Sequence, residues 1–133
     1  MGIEVEMILR ILLAAALGAI IGYQRERAGK PAGLRTHTLI CVGTALFTVA
    51  SIYGFGAVAD PARVAAGIVA GIGFLGAGTI IRTREAIVAG LTTAATIWAV
   101  AGIGLAVGAG LYLVSAVTTL VILIILFLPH PIQ

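Results

Sequence analysis

Apolar runs, each long enough to cross hydrocarbon, alternate along this chain with short connections that hold nearly all of its charge. A hydrocarbon layer of about 30 Å takes about 20 apolar residues as helix. The first run covers about residues 7–23, is interrupted only by Arg10, and is followed by a basic connection over 24–35. The second covers about 36–55, with Asp60-Pro61 closing the next connection. The third covers about 61–81 and ends on Arg82-Thr83-Arg84-Glu85. From Ala86 to Leu128 there is no charged residue. One straight helix over that stretch would be ~64 Å long, twice the bilayer core, so the pattern predicts a fold-back. Gly108-Ala109-Gly110 is the place where glycine relieves the backbone. This gives a fourth span over about 89–107 and a fifth over about 111–128, which Pro129 and Pro131 end. The pattern therefore predicts an all-α polytopic transmembrane bundle of about five spans.

Composition agrees. Of 133 residues, 61% are hydrophobic and 10% charged, where a soluble domain carries roughly 25% charged residues. Too few polar residues exist to coat a water-facing surface, so the expected solvent is the lipid bilayer. Glu4 and Glu6 precede the first run where a signal peptide would have a basic cluster, so that run reads as a retained helix. The chain is expected to be one membrane domain over 1–133, without a C-terminal soluble domain. The lone Cys41 lies in an apolar run and reads as a small buried hydrophobe.

Charge sets orientation and excludes some partners. Arg25, Arg27, Lys30 and Arg35 lie between spans one and two, and Arg82 and Arg84 between spans three and four. With five spans both connections fall on one face, which the positive-inside rule makes cytoplasmic. The N-terminus is then outside and the C-terminus inside. Arg10 and Arg63, on the other side, each have an acid nearby in sequence, Glu6 and Asp60. The net charge of +3 forms no basic stripe and aromatics are 6%, which excludes nucleic acid as a partner.

Lipid gives helices no hydrophobic reason to associate, so small residues must let backbones come close. Ala14, Gly18 and Gly22 form one such stripe, Gly67 and Gly71 another beside Ala66-Ala70 and Gly73-Ala77, and Gly104 and Gly108 a third. These are packing faces within the subunit or between subunits, the first being the commoner use. Expected partners are the bilayer, further copies of the chain as a homo-oligomer, and other membrane proteins. Gly71-Ile72-Gly73-Phe74-Leu75-Gly76 matches G-x-G-x-x-G, but no strand precedes it and no acid follows at the required distance, so a dinucleotide site is rejected. The density of glycine from Gly67 to Gly78, with Gly76 between, fits either close packing at the bundle centre or a kinked, unwound helix of the kind that builds transporter sites.

Every ionisable residue reads as lying near a membrane boundary, which argues against a proton relay. Arg25-Glu26-Arg27 reads as an interfacial anchor, with Glu26 available to Arg35 or Arg82. Asp60-Pro61 has the form of a helix N-cap followed by proline at the first helical position, and Arg63 is spaced to pair with Asp60. Thr92, Thr93 and Thr96 are the most polar patch in the apolar region. They are satisfied by their own helix backbone or join a cytoplasmic-side cluster with Glu26, Arg35, Thr36 and Arg82. No metal site, cofactor or catalytic residue is expected. The carboxylates are split between two faces, His37 and His130 stand alone, and no nucleophile lies with a base.

Three blocks resemble the membrane domain of the MgtC/SapB family. They are Glu26-Arg27 leading to Ala32-Gly33-Leu34-Arg35-Thr36-His37; Asp60 and Arg63 leading to Gly71-Ile72-Gly73-Phe74-Leu75-Gly76-Ala77-Gly78; and Gly90-Leu91-Thr92-Thr93-Ala94-Ala95 with Trp98. The resemblance implies a bacterial inner-membrane protein linked to magnesium homeostasis, of a kind that regulates other membrane proteins, the ATP synthase included. Many members carry Gln and Ser before the glycine block, where this chain has Gly67 and Ala70. Two functions follow as expectations: a non-enzymatic regulator acting through helix contacts, or a small-ion or solute transporter with its pathway at the third helix.

Overall fold

The computed structural model describes the backbone of residues 2–82 and 88–129, and the side chains of residues 2–80 and 90–129. Five helices follow one another: α1 (Ile3–Arg27), α2 (Leu34–Tyr53), α3 (Ala62–Ala77), α4 (Leu91–Gly108) and α5 (Tyr112–Leu126). Between α3 and α4 two short antiparallel strands, β1 (Ile81–Arg82) and β2 (Val88–Ala89), pair Ile81 with Ala89 and Arg82 with Val88. By length and composition α1, α2 and α4 can cross a membrane, while α3 and α5 are apolar but shorter. At 1.5 Å per residue α1 spans about 37 Å, α3 about 24 Å and α5 about 22 Å. Outward side chains are apolar along the whole bundle, including Leu12, Leu39, Phe47, Phe74, Leu113 and Phe127. With such a surface and the hydropathy of its helices, the protein is a membrane-embedded helical bundle.

Element ends follow local chemistry. Asp60 Oδ1 accepts from the Ala62 amide at 3.0 Å, so the predicted aspartate does bond the start of α3, though the cap position itself falls one residue later, on Pro61. The α4–α5 reversal falls at the predicted glycines, with Gly110 at φ +87°. The third span is shorter than expected. Its helix ends at Ala77, and the amides of Gly78, Thr79 and Ile80 turn back onto the carbonyls of Leu75, Gly76 and Ala77. The β-branched Thr79-Ile80-Ile81 then leaves the helix for an extended path. The neck of this hairpin closes at Gly90, whose φ is +94° and whose missing Cβ would overlap the Thr79 carbonyl oxygen. Only glycine fits there.

Two of the three small-residue stripes pack inside the subunit. A Cβ on Gly18 would lie 2.7 Å from Cys41 Cβ, and one on Gly22 would lie 2.8 Å from Leu34 Cα, so α1 and α2 touch backbone to backbone. A Cβ on Gly104 would overlap Thr44 Oγ1 and the Cys41 carbonyl, and one on Gly108 would lie 2.7 Å from the Ala45 carbonyl oxygen. Around these contacts Ala14, Leu17, Ile21, Cys41, Ala45, Val100, Ile103, Val107 and Leu126 form the main core. Cys41 is fully buried, as its apolar setting predicts.

The third stripe corrects both expectations for it. Helix α3 runs unbroken through the glycine block, so it is not unwound. An open backbone facing lipid would leave amides and carbonyls without partners. Nor does the block sit at the bundle centre. Ile68 and Ile72 bury against Ile97 and Ala101 of α4, and Gly76 approaches the Ala94 carbonyl. Gly67, Gly71, Gly73 and Gly78 are exposed, and the first three would meet nothing within 4 Å of an added Cβ. Helix α3 lies along α4 and only lightly touches α2.

Candidate functional site

Among the described residues two arginines are buried in the bundle, one toward each end. Arg25, in the last turn of α1, is 1% exposed. Its NH2 donates to Thr93 Oγ1 at 2.8 Å, tying α1 to the first turn of α4. Its Nε is buried without a partner among the described residues. His37, in the first turn of α2, is fully buried, with Nδ1 at 2.9 Å from the Gly33 carbonyl. A carbonyl only accepts, so in the neutral ring Nδ1 carries the proton and Nε2 is an acceptor. That Nε2 has no partner among the described residues, and neither do the buried Gln24 Oε1 and Thr38 Oγ1.

Arg10, at the opposite end, is nearly as buried but fully engaged. Its Nε donates to the Tyr112 hydroxyl at 2.8 Å and NH1 to the Gly108 carbonyl at 2.9 Å, while NH2 pairs with Glu6. The guanidinium also lies over Tyr53 and Tyr112, 5.3 and 5.8 Å from the ring centroids. One side chain thus joins α1, the end of α2, the α4–α5 turn and the start of α5.

The cluster predicted from sequence does not converge. Glu26, Arg35 and Thr36 are exposed. Glu26 pairs with no arginine among the described residues, where Arg10–Glu6 is the one ion pair. Its Oε1 instead accepts from the Leu34 amide at 3.2 Å and lies where a Cβ on Gly33 would be crowded, so Gly33 lets it fold back over the connection. Thr96 is buried and bonded to the Thr92 carbonyl of its own helix at 2.7 Å, and Thr92 is partly buried. Arg82 lies on β1 with its side chain outside the described residues, and Arg84, Glu85 and His130 lie outside them altogether. Of the named cluster Thr93 joins the buried polar group, and it does so through Arg25. Asp60 and Arg63 are both exposed and unpaired with each other; the aspartate oxygen serves the helix start instead. Among the described residues no three of His, Cys, Asp and Glu come together.

The role of Arg25 was readable from spacing. Ala14, Gly18, Ile21 and Gly22 mark the buried face of α1. Arg10 is four residues before Ala14 and Arg25 is four after Ile21, which places both on that face.

Helix α3 is flanked by open apolar grooves. One of about 450 Å³ runs between α2 and α3 and includes Phe47, Val64, Gly67, Gly71 and Leu75. Another of about 450 Å³ lies among α3, α4 and α5 and includes Val69, Trp98, Val114 and Ile122. A smaller one of about 280 Å³ is lined by Gly73, Gly76 and Trp98.

Comparison with known proteins adds the following. The family whose model matches is described as the MgtC family, over residues 11–133. The protein named "Putative magnesium transporter YhiD" of Escherichia coli K12 is 48% identical over 128 residues, 89% of this chain and 59% of its own length. Protein SapB of Bacillus subtilis is 40% identical over 135 residues, covering 96% of this chain and 58% of itself. Protein MgtC of Salmonella typhimurium is 46% identical over 116 residues, covering 87% and 49%. The chain spans about half the length of these curated relatives. No solved structure matches.

Proposed function

The chain belongs to the MgtC family, and from that premise we propose that it is a non-enzymatic regulator in magnesium or ion homeostasis, acting on other membrane proteins through helix contacts. It resides in the bacterial inner membrane as a multi-pass protein, N-terminus outside and C-terminus cytoplasmic. The name of the Escherichia coli relative supports the link to magnesium. The arginines and lysine of the connections 24–35 and 82–85 support the orientation. The observation that carries the regulatory reading is the outer face of α3. Gly18 and Gly22 of α1 and Gly104 and Gly108 of α4 are filled by neighbouring groups, whereas Gly67, Gly71 and Gly73 are open beside apolar grooves, as is Gly102 on the face of α4 that lines one of them. That face suits the close approach of a helix from another protein.

A photo-crosslinking residue at Phe74, the exposed neighbour of these glycines, tests the reading in cells. Adducts with other membrane proteins are expected, and Gly71→Leu is expected to remove them. An adduct of two copies of the chain would report the homo-oligomer. Purified protein in liposomes is expected to pass no magnesium, protons or small anions beyond empty controls. Flux that a bulky residue at Gly73 abolishes would overturn the regulator in favour of a transporter with its pathway along α3.

A further inference from the structure

The buried polar side-chain atoms without a partner among the described residues are Gln24 Oε1, Arg25 Nε, His37 Nε2 and Thr38 Oγ1. All four belong to the last turn of α1 and the first five residues of α2, at one end of the bundle. The opposite end is complete by comparison, since Arg10 has Glu6, Tyr112, the Gly108 carbonyl and two aromatic faces. Other buried hydroxyls have partners: those of Thr44, Thr48, Thr96 and Thr119 donate to carbonyls of their own helices, that of Ser115 to the Leu111 carbonyl just before α5, and that of Ser51 to the Pro61 carbonyl.

We propose that the end of the bundle around Arg25 and His37 opens to admit water, while the Arg10 end stays shut and acts as the pivot. Buried polar groups are nearly always paired with protein or with ordered water. Leaving one unpaired costs more than a bond made in its place returns. Here the unpaired set mixes one obligate donor, Arg25 Nε, two acceptors, His37 Nε2 and Gln24 Oε1, and one hydroxyl that does both. A bare anion would meet the acceptors and a bare cation would meet the guanidinium. Water serves all four. At this end of the closed form the Arg25–Thr93 bond ties α1 to α4 and the Glu26 carboxylate ties the end of α1 to the Leu34 amide of α2. One turn deeper on α2, Cys41 is packed against Gly18 and Gly104, so tight backbone contact limits how far water reaches. The opening is a hydrated vestibule, not a channel.

Cysteine accessibility in liposomes, with a membrane-impermeant thiol reagent on both faces, tests this. Thr38→Cys and Gln24→Cys are each made in a Cys41→Ala background, with Thr36→Cys as the exposed reference and Ser115→Cys as the buried one. The two vestibule cysteines are expected to react within about tenfold of Thr36→Cys, and Ser115→Cys on the order of a hundredfold more slowly. Native Cys41 is expected to resist the reagent in the unaltered chain. Vestibule cysteines as slow as Ser115→Cys would overturn the opening, and rapid reaction of Cys41 would overturn its limit. Hydroxyl-radical footprinting of the unaltered chain needs no substitution: oxidation of His37 is expected, and an unmodified His37 would also overturn the proposal.

Discussion

The two buried arginines differ in what a substitution would leave behind. At Arg10 the fork of donors serves three partners in fixed directions, which an ammonium cannot reproduce. Arg10→Lys is therefore expected to lower stability by about 2–3 kcal/mol, nearly as much as Arg10→Ala, read as the thermal unfolding midpoint in detergent. At Arg25 the tie is one hydroxyl. Thr93→Val keeps the shape and removes the acceptor, with an expected cost of about 1.5–3 kcal/mol, the range for a bond to a charged group. Thr96→Val, whose hydroxyl serves its own helix, is expected to cost less than about 1 kcal/mol by the same measurement. Part of this was legible in the sequence. Glu6 lies four residues from Arg10 on one helix face, and the two do pair. Tyr53, Tyr112 and Gly108 come from distant elements, and no local spacing points to them. Of the expected pairs, Glu26 with Arg35 and Asp60 with Arg63 do not form, for a different reason, and Glu26 with Arg82 falls outside the described side chains. Both acids are exposed and close enough to backbone amides to bond them instead, which competes with an ion pair of little worth in water.

Among the elements, glycine separates the packed faces from the open one. Gly104→Ala forces its methyl onto Thr44 and the Cys41 carbonyl. It is expected to lower stability by about 1–3 kcal/mol, the usual cost of overpacking. Gly71→Ala meets empty space and is expected to be neutral or to raise stability by up to about 1 kcal/mol through helix propensity. Unfolding of the two variants side by side distinguishes a glycine used for packing from one left free. Gly90→Ala combines a positive φ with overlap on the Thr79 carbonyl, so it is expected to loosen the hairpin neck, seen as faster amide exchange in the segment 79–90. The spans were legible because an apolar run is a strong signal over about 20 residues. Their ends were less so. Nothing in the apolar pattern distinguishes Ala77, where α3 stops, from Ile81, where it was expected to stop. The difference is made by β-branched residues entering a hairpin.

For the whole molecule, the proposed topology of five crossings predicts that the connection 28–33 lies on one face with the α3–α4 connection, and 54–61 and 109–111 on the other. Single cysteines at Gly29 and Gly56 are expected to label from opposite sides of sealed vesicles; labelling from the same side would remove one crossing. The lengths of the helices have a consequence beyond topology. Helix α1 is about 37 Å long, but α3 and α5, which flank α4 on the side of one groove, measure about 24 and 22 Å. A hydrocarbon layer of about 30 Å cannot match both sides of such a body. The short flank draws the leaflets together around it, while the long helix tilts to hide its excess, each at fractions of a kcal/mol per ångström. On the proposed multi-pass topology the bilayer is therefore expected to thin in a wedge on one side, and two such wedges cost less when they share their boundary than when they stand apart.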